Sequence, residues 1–170
     1  MEFFMTTNRC GFSYWNDSDL PLAVSLWGEP EVTKYICASG VFTIDEIESR
    51  LHTEINNFNK YGVQYFPVYS LSSGDLIGCC GLRPYNNKKN VYELGFHLRK
   101  EYWHNGYAVE CATAVIDYAF SKLGAVELKA GHNPNNIASQ KILLKLGFQY
   151  ETKEYYKPTG LYHPLYKYIK

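Results

Sequence analysis

The chain has 170 residues, 46% hydrophobic and 20% charged, and its 17 Lys and Arg balance its 17 Asp and Glu. That length suits one domain with one core, expected to span residues 1–170. Zero net charge argues against a broad grip on nucleic acid or an anionic membrane, and no apolar stretch approaches a membrane span, so neither partner is expected.

Met1 to Arg9 shows no long apolar run and hence no signal peptide, so the expected location is cytoplasmic. Cys10 to Trp15 reads as a first strand. Asp17 or Ser18 caps a helix to about Trp27, with Pro21 in its first turn. Gly28-Glu29-Pro30 breaks it. Thr43 with Glu46 forms a capping box for a second helix, whose Ile44, Ile47, Leu51, Ile55 and Phe58 recur at helical spacing until Gly62. Three strands follow: Tyr65 to Leu71, Leu76 to Arg83 and Val91 to Arg99. Ser72-Ser73-Gly74-Asp75 and Asn86-Asn87-Lys88-Lys89-Asn90 are their turns. Ala108 to Leu123 is helical, Val126 to Gly131 a strand, and Asn136 to Leu146 a helix closed by Gly147. Phe148 to Tyr156 and Tyr162 to Ile169 form a last hairpin. The sum is an α/β (α+β) fold, a mixed and mostly antiparallel sheet of seven strands flanked by about four helices. The five Cys (Cys10, Cys37, Cys79, Cys80, Cys111) have no C-x-x-C and no repeated spacing. They read as reduced thiols used in packing, with no metal site. The 16 Tyr fit half-buried strand positions or the walls of a cleft.

Two segments carry chemistry. In Trp103-His104-Asn105-Gly106-Tyr107-Ala108 a strand gives way to a helix at a glycine. A helix start offers unpaired N–H groups and a positive dipole end, which suits phosphate, and Gly106 lets the backbone approach closely. His132-Asn133-Pro134-Asn135-Asn136-Ile137-Ala138-Ser139 joins another strand to a helix; Asn136 is a natural cap, and Asn136, Ser139 and Leu143 share one helical face. By spacing alone that second segment is a capped surface helix.

Taken together, Trp-x-x-Gly-Tyr-Ala, then helix, strand, Asn-x-x-Asn-x-x-Ser and Lys145-Leu146-Gly147-Phe148, resemble the GNAT acetyltransferase superfamily, and more narrowly its ribosomal-protein alanine N-acetyltransferase (RimJ/RimL-like) branch. The order of elements matches over nearly the whole chain. The resemblance implies acetyl-CoA as co-substrate and no metal. It implies that His104, Asn105, Gly106, Tyr107 and Ala108 give backbone N–H groups to the pyrophosphate. Phe96, His97 and Leu98 would pair with the pantetheine amides, Asn133 and Asn136 would contact the cofactor arm, and Ser139 would lie near the thioester sulfur. Trp103 stands where the superfamily pattern has Gln or Arg, which removes a side-chain contact and keeps the backbone cradle.

Acetyl transfer needs a deprotonated amine, a polarised carbonyl and a stabilised thiolate. The superfamily's usual acid is a Tyr at the position of Leu143, which cannot donate, so Ser139 is the substitute hydrogen-bond donor. Glu93 is the chosen base, because a carboxylate within an apolar strand needs a reason; an edge salt bridge is the other reading. His97, on the same strand face, is the rival. By the fold comparison the acceptor enters between the first helices and the final hairpin, with Tyr35, Tyr155, Tyr156 and Tyr162 as walls. The expected acceptor is a protein or peptide N-terminal α-amine, with a small-molecule amine as the alternative. A non-catalytic acetyl-CoA sensor is a further alternative, and the chain is expected as a monomer or homodimer.

Overall fold

The computed structural model describes residues 2–86 and 88–170; Met1 and the Asn87 of the expected turn lie outside the described residues. Local chemistry sets the helix boundaries. The Thr43 hydroxyl accepts the Glu46 N–H (3.3 Å) and the Thr43 N–H donates to the Glu46 carboxylate (2.7 Å), starting α3 (Ile44–Tyr61). Gly62 ends it at φ 70°. The first helix is capped differently from expectation. Asn16, ahead of Asp17 and Ser18, accepts the Ser18 N–H (3.0 Å), and Asp19 accepts the Asn16 N–H (3.0 Å). This second capping box leads through a 3-10 turn into α1 (Leu20–Trp27). Pro30, expected only to break the first helix together with Gly28 and Glu29, opens the short α2 (Pro30–Thr33), since proline suits a first helical turn.

The remaining elements are β1 (Met5–Thr6), β2 (Cys10–Phe12), β3 (Tyr65–Ser70), β4 (Leu76–Pro84), β5 (Val91–Leu98), α4 (Tyr107–Lys122), β6 (Glu127–Gly131), α5 (Ile137–Lys145), β7 (Gln149–Tyr156) and β8 (Leu161–Tyr168). The sheet has eight strands in the order β1-β2-β3-β4-β5-β6-β8-β7, antiparallel except where β5 meets β6. The seventh-to-eighth difference is β1, two residues paired across a turn to Gly11 and Phe12, too short to show alternation in the sequence.

Alternation along the strands divides the core. Phe66, Val68, Cys80, Leu82, Leu94 and Leu98 pack with Val115, Ala119 and Leu143 against α4 and α5. Tyr65, Tyr69 and Cys79 pack with Trp27, Ile47 and Leu51 against α1 and α3. The adjacent Cys79 and Cys80 therefore face opposite layers, as period-two geometry requires, and all five thiols are free.

Candidate active site

The central feature is where β5 and β6 part. Their parallel register holds only at Val91↔Glu127, Tyr92↔Leu128 and Glu93↔Lys129. On its other side β5 pairs with β4 over its full length. The Arg99 N–H donates to the Ile77 carbonyl and the Tyr85 N–H to the Val91 carbonyl. Odd-numbered residues of β5 therefore turn their backbone groups to β4, and even-numbered residues turn theirs to the gap. Phe96 and Leu98 thus present backbone groups to the gap, as expected for an edge that pairs with amides. His97 departs from its expected role: its backbone is committed to Cys79 across the β4 ladder. The Leu98 carbonyl accepts the Trp103 indole N–H at 2.7 Å, which leaves the Leu98 N–H and both backbone groups of Phe96.

Below the gap, the turn into α4 holds two residues in the left-handed region, His104 (φ 60°) and Gly106 (φ 81°). Such a turn gathers successive N–H groups into an anion-binding concavity at the positive end of α4. A Cβ on Gly106 would meet only Arg9 Nη2, at 3.6 Å, so the positive φ is what demands glycine there. The Asn105 amide donates to the Trp103 carbonyl (2.9 Å) and stiffens the turn. Sequence reading missed Arg9. Its Nη1 donates to the Asn105 carbonyl (3.0 Å), its guanidinium lies 4.1 Å over the Tyr107 ring, and Glu110 holds it at 2.7 Å. Arg9 lies nearly a hundred residues before this turn, and only the β1–β2 turn brings it there.

At the junction of β6 and α5, the side-chain carbonyl of Asn133 accepts the Asn135 N–H (3.0 Å) and that of Asn136 accepts the Ser139 N–H (3.1 Å). Both asparagines shape the loop and keep their NH₂ groups for other partners. Ser139 is half-buried, one turn from the buried Leu143. His132 Nδ1 donates to the Asn133 carbonyl (2.7 Å), and its buried Nε2 meets no partner. Free strand backbone, the left-handed turn and this orphaned ring nitrogen together fit an amide-bearing, phosphate-bearing ligand.

On the α1/α3 side of β5, Glu93 accepts the Tyr65 phenol proton at 3.2 Å and stands opposite Arg83 across the ladder. Burial raises its pKa above the usual 4.5; Arg83 and the Tyr65 hydrogen bond pull it back. Arg83 lies 4.2 Å over the Tyr65 ring and is ion-paired to the fully buried Glu54, which also accepts the Tyr65 N–H at 2.8 Å. Gly95 is required here: a Cβ would fall 2.2 Å from the Tyr65 ring. His97 is a poor rival base. Its Nδ1 accepts the Trp27 indole N–H (3.3 Å), so its proton sits on Nε2. Burial first, then Arg50 and Arg83, depress its pKa well below 6.5, so the ring is neutral at pH 7.

Two cavities open beside this cluster. One of about 440 Å³ is lined by Phe42, Asp45, Glu46, Ser49, Arg50, Thr53 and Arg83. The other, of about 340 Å³, shares Thr53 and Arg83 with it. Glu93 is not on either lining; Arg83, its cross-strand partner, is on both. The tyrosines expected as walls are elsewhere: Tyr155 (59% exposed) pairs with Tyr162 (63% exposed) on the β7–β8 hairpin, Tyr156 packs on His163, and Tyr35 lies against Lys34. None of the four lines these cavities. Among the described residues, no group of three His, Cys, Asp or Glu is placed to hold a metal ion, and no helix is long and apolar enough to cross a membrane.

A family profile described as acetyltransferase (GNAT) domain matches residues 9–149. The chain is 28% identical over 145 residues to the uncharacterized N-acetyltransferase p20 of Bacillus licheniformis, covering 84% of this chain and 81% of that protein. Its fold matches that of RimL, a ribosomal L7/L12 α-N-protein acetyltransferase solved with coenzyme A, at a TM-score of 0.81 and 12% identity over 99% of this chain and 98% of that one. It also matches a spermidine N-acetyltransferase from Vibrio cholerae, solved with coenzyme A and spermine, at 0.75 and 18% identity, over 95% and 94% of the two chains.

Proposed function

The chain belongs to the GNAT acetyltransferase family and is an acetyl-CoA-dependent acyltransferase, and we propose that it acetylates a primary amine, foremost a peptide or protein N-terminal α-amine. The observation that carries this reading is the parting of β5 and β6 above the left-handed turn at Gly106. In the proposal, N–H groups of His104 to Ala108, with Arg9 behind them, hold the pyrophosphate. Phe96 and Leu98 offer backbone to the pantetheine arm, and Asn133 and Asn136 offer side-chain amides.

Acetyl-CoA supplies the activated acyl group. Glu93 receives the amine proton, directly or through water, and its raised pKa brings it nearer the operating pH. Ser139 gives the sulfur a hydrogen bond where Leu143 has no proton to give. The two adjoining cavities support an elongated acceptor such as a chain terminus. RimL's own acceptor, a protein α-amine, is consistent with that choice. The lining of the larger cavity balances Arg50 and Arg83 with Asp45 and Glu46, so it offers no excess of acid to a polycation such as the acceptor of the spermidine enzyme. The larger cavity is also of a size for a compact amine, which is the second reading.

A panel of amines and N-terminal peptides, assayed for free-thiol release from acetyl-CoA, tests this. Acceptor-dependent release is the expected result. Tight coenzyme A binding with no amine consumed would instead mark a sensor.

A further inference from the structure

Arg50 takes no part in the proton transfers above. It lies on α3 with its guanidinium 5.2 Å from the Trp27 ring and 5.5 Å from the Phe42 ring. Its buried Nε meets no hydrogen-bond partner. The nearby carboxylates are engaged elsewhere. Glu54 pairs with Arg83 and Tyr65. Glu46, one helical turn before Arg50, accepts the Thr43 N–H in the capping box. Asp45 stands exposed at the mouth of the cavity. Arg50 therefore makes no ion pair among the described residues; burial first and then Arg83 disfavour its charge, and Glu54, itself paired with Arg83, offsets them only in part. A guanidinium keeps its charge regardless, and an enclosed, unpaired cation is costly unless something compensates it. Two aromatic faces compensate in part. The rest is missing, and Arg50 lines an open cavity of about 440 Å³ together with Ser49 and Thr53.

We propose that Arg50 binds a carboxylate carried by the acceptor, so that the preferred acceptors are amines bearing a nearby carboxylate. Such an anion is either the α-carboxylate of a free amino acid or an acidic side chain close to a peptide N-terminus. The planar fork of the guanidinium matches a carboxylate with two parallel hydrogen bonds. Arg50 and Arg83 line the same cavity, and Arg83 stands opposite the candidate base Glu93 across the ladder and lies over Tyr65, the donor to Glu93. A carboxylate at Arg50 thus places the rest of the acceptor on the side of the cavity that borders Glu93's partner.

This inference rests on the amine-acetylation reading, and the test separates the two. Initial rates of thiol release are measured for matched acceptors: an amino acid against its amide, and a peptide with Glu at its second position against the same peptide with Gln. The wild type should favour the carboxylate member of at least one pair by about tenfold or more in kcat/KM. Which pair responds identifies the source of the carboxylate. Arg50→Gln should erase the preference through KM, leave the amide member within about threefold, and keep coenzyme A affinity and melting temperature near wild type. Equal treatment of both members by the wild type, or an equal loss on both in Arg50→Gln, would overturn the inference while leaving acetylation intact. If no acceptor is consumed, the acetylation reading has failed, and binding alone decides. N-acetylalanine and its amide are then titrated calorimetrically into the coenzyme A-loaded protein. Binding of the acid alone, lost in Arg50→Gln, supports the inference; equal binding or none overturns it.

Discussion

Tyr65→Phe removes one hydroxyl and leaves the ring in place, which makes it a sharp probe of Glu93. The Tyr65 O–H donates to Glu93 at 3.2 Å, and burial with Glu93 beside it holds the phenol well above its usual pKa of 10, so it remains a donor across any practical pH range. A hydrogen bond to a charged group contributes about 1.5–3 kcal/mol. At 3.2 Å this one belongs at the weak end, about 1.5 kcal/mol, which corresponds to roughly one pH unit. The bond favours the carboxylate form, so losing it raises the Glu93 pKa further. A base must be deprotonated, so the acidic limb of kcat/KM against pH should move upward by about one unit, with the plateau little changed. The wild-type limb should already lie above the ordinary 4.5. The packing of Tyr65 against Arg83 and His97 is retained, so coenzyme A affinity serves as the control. A limb that stays in place, or moves to lower pH, would mean that the Tyr65 hydroxyl does not set the titration of the base.

Gly106→Ala forces a side chain into φ 81°, at a cost of about 1–2 kcal/mol. Its melting temperature should fall by about 2–4 °C per kcal/mol, and calorimetry should show weaker coenzyme A binding; wild-type affinity would remove the turn from the site. Ser139→Ala should lower kcat about tenfold, the loss of one hydrogen bond made as negative charge develops on sulfur, with KM for acetyl-CoA unchanged. An unaltered kcat in steady-state assays would leave Ser139 as a helix residue only.

How much of this was legible in the sequence depended on distance along the chain. Thr43 and Glu46 are three residues apart, so the capping box of α3 was readable, as were Gly62 and Gly147 as helix ends. Asn16 and Asp19 have the same spacing, yet Asp17 and Ser18 between them are equally good caps, and only the observed hydrogen bonds choose. The Gly106 turn was legible because strand, glycine and helix are contiguous. Arg9 was not, because β1 and β2 carry it to the turn from the other end of the chain. The basic cluster was hidden for the same reason: Arg50 and Glu54 come from α3, Tyr65 from β3, Arg83 from β4 and Glu93 from β5. The Glu93–Arg83 pairing exists only in the β4–β5 register. His97 looked like a base by residue type, and burial beneath Trp27 is what disqualifies it. The hairpin tyrosines were placed by analogy with a fold, and nothing local to Tyr155 or Tyr162 says which way they face.

Acetylation of an amine with Glu93 as base comes down to one comparison. Acceptor-dependent thiol release from acetyl-CoA is measured for the wild type and Glu93→Gln, with coenzyme A affinity determined for both. Affinity should be equal, and kcat about 100-fold or more lower in Glu93→Gln, the usual contribution of a general base. A Glu93→Gln protein that turns over like the wild type at every pH would remove Glu93 from the chemistry.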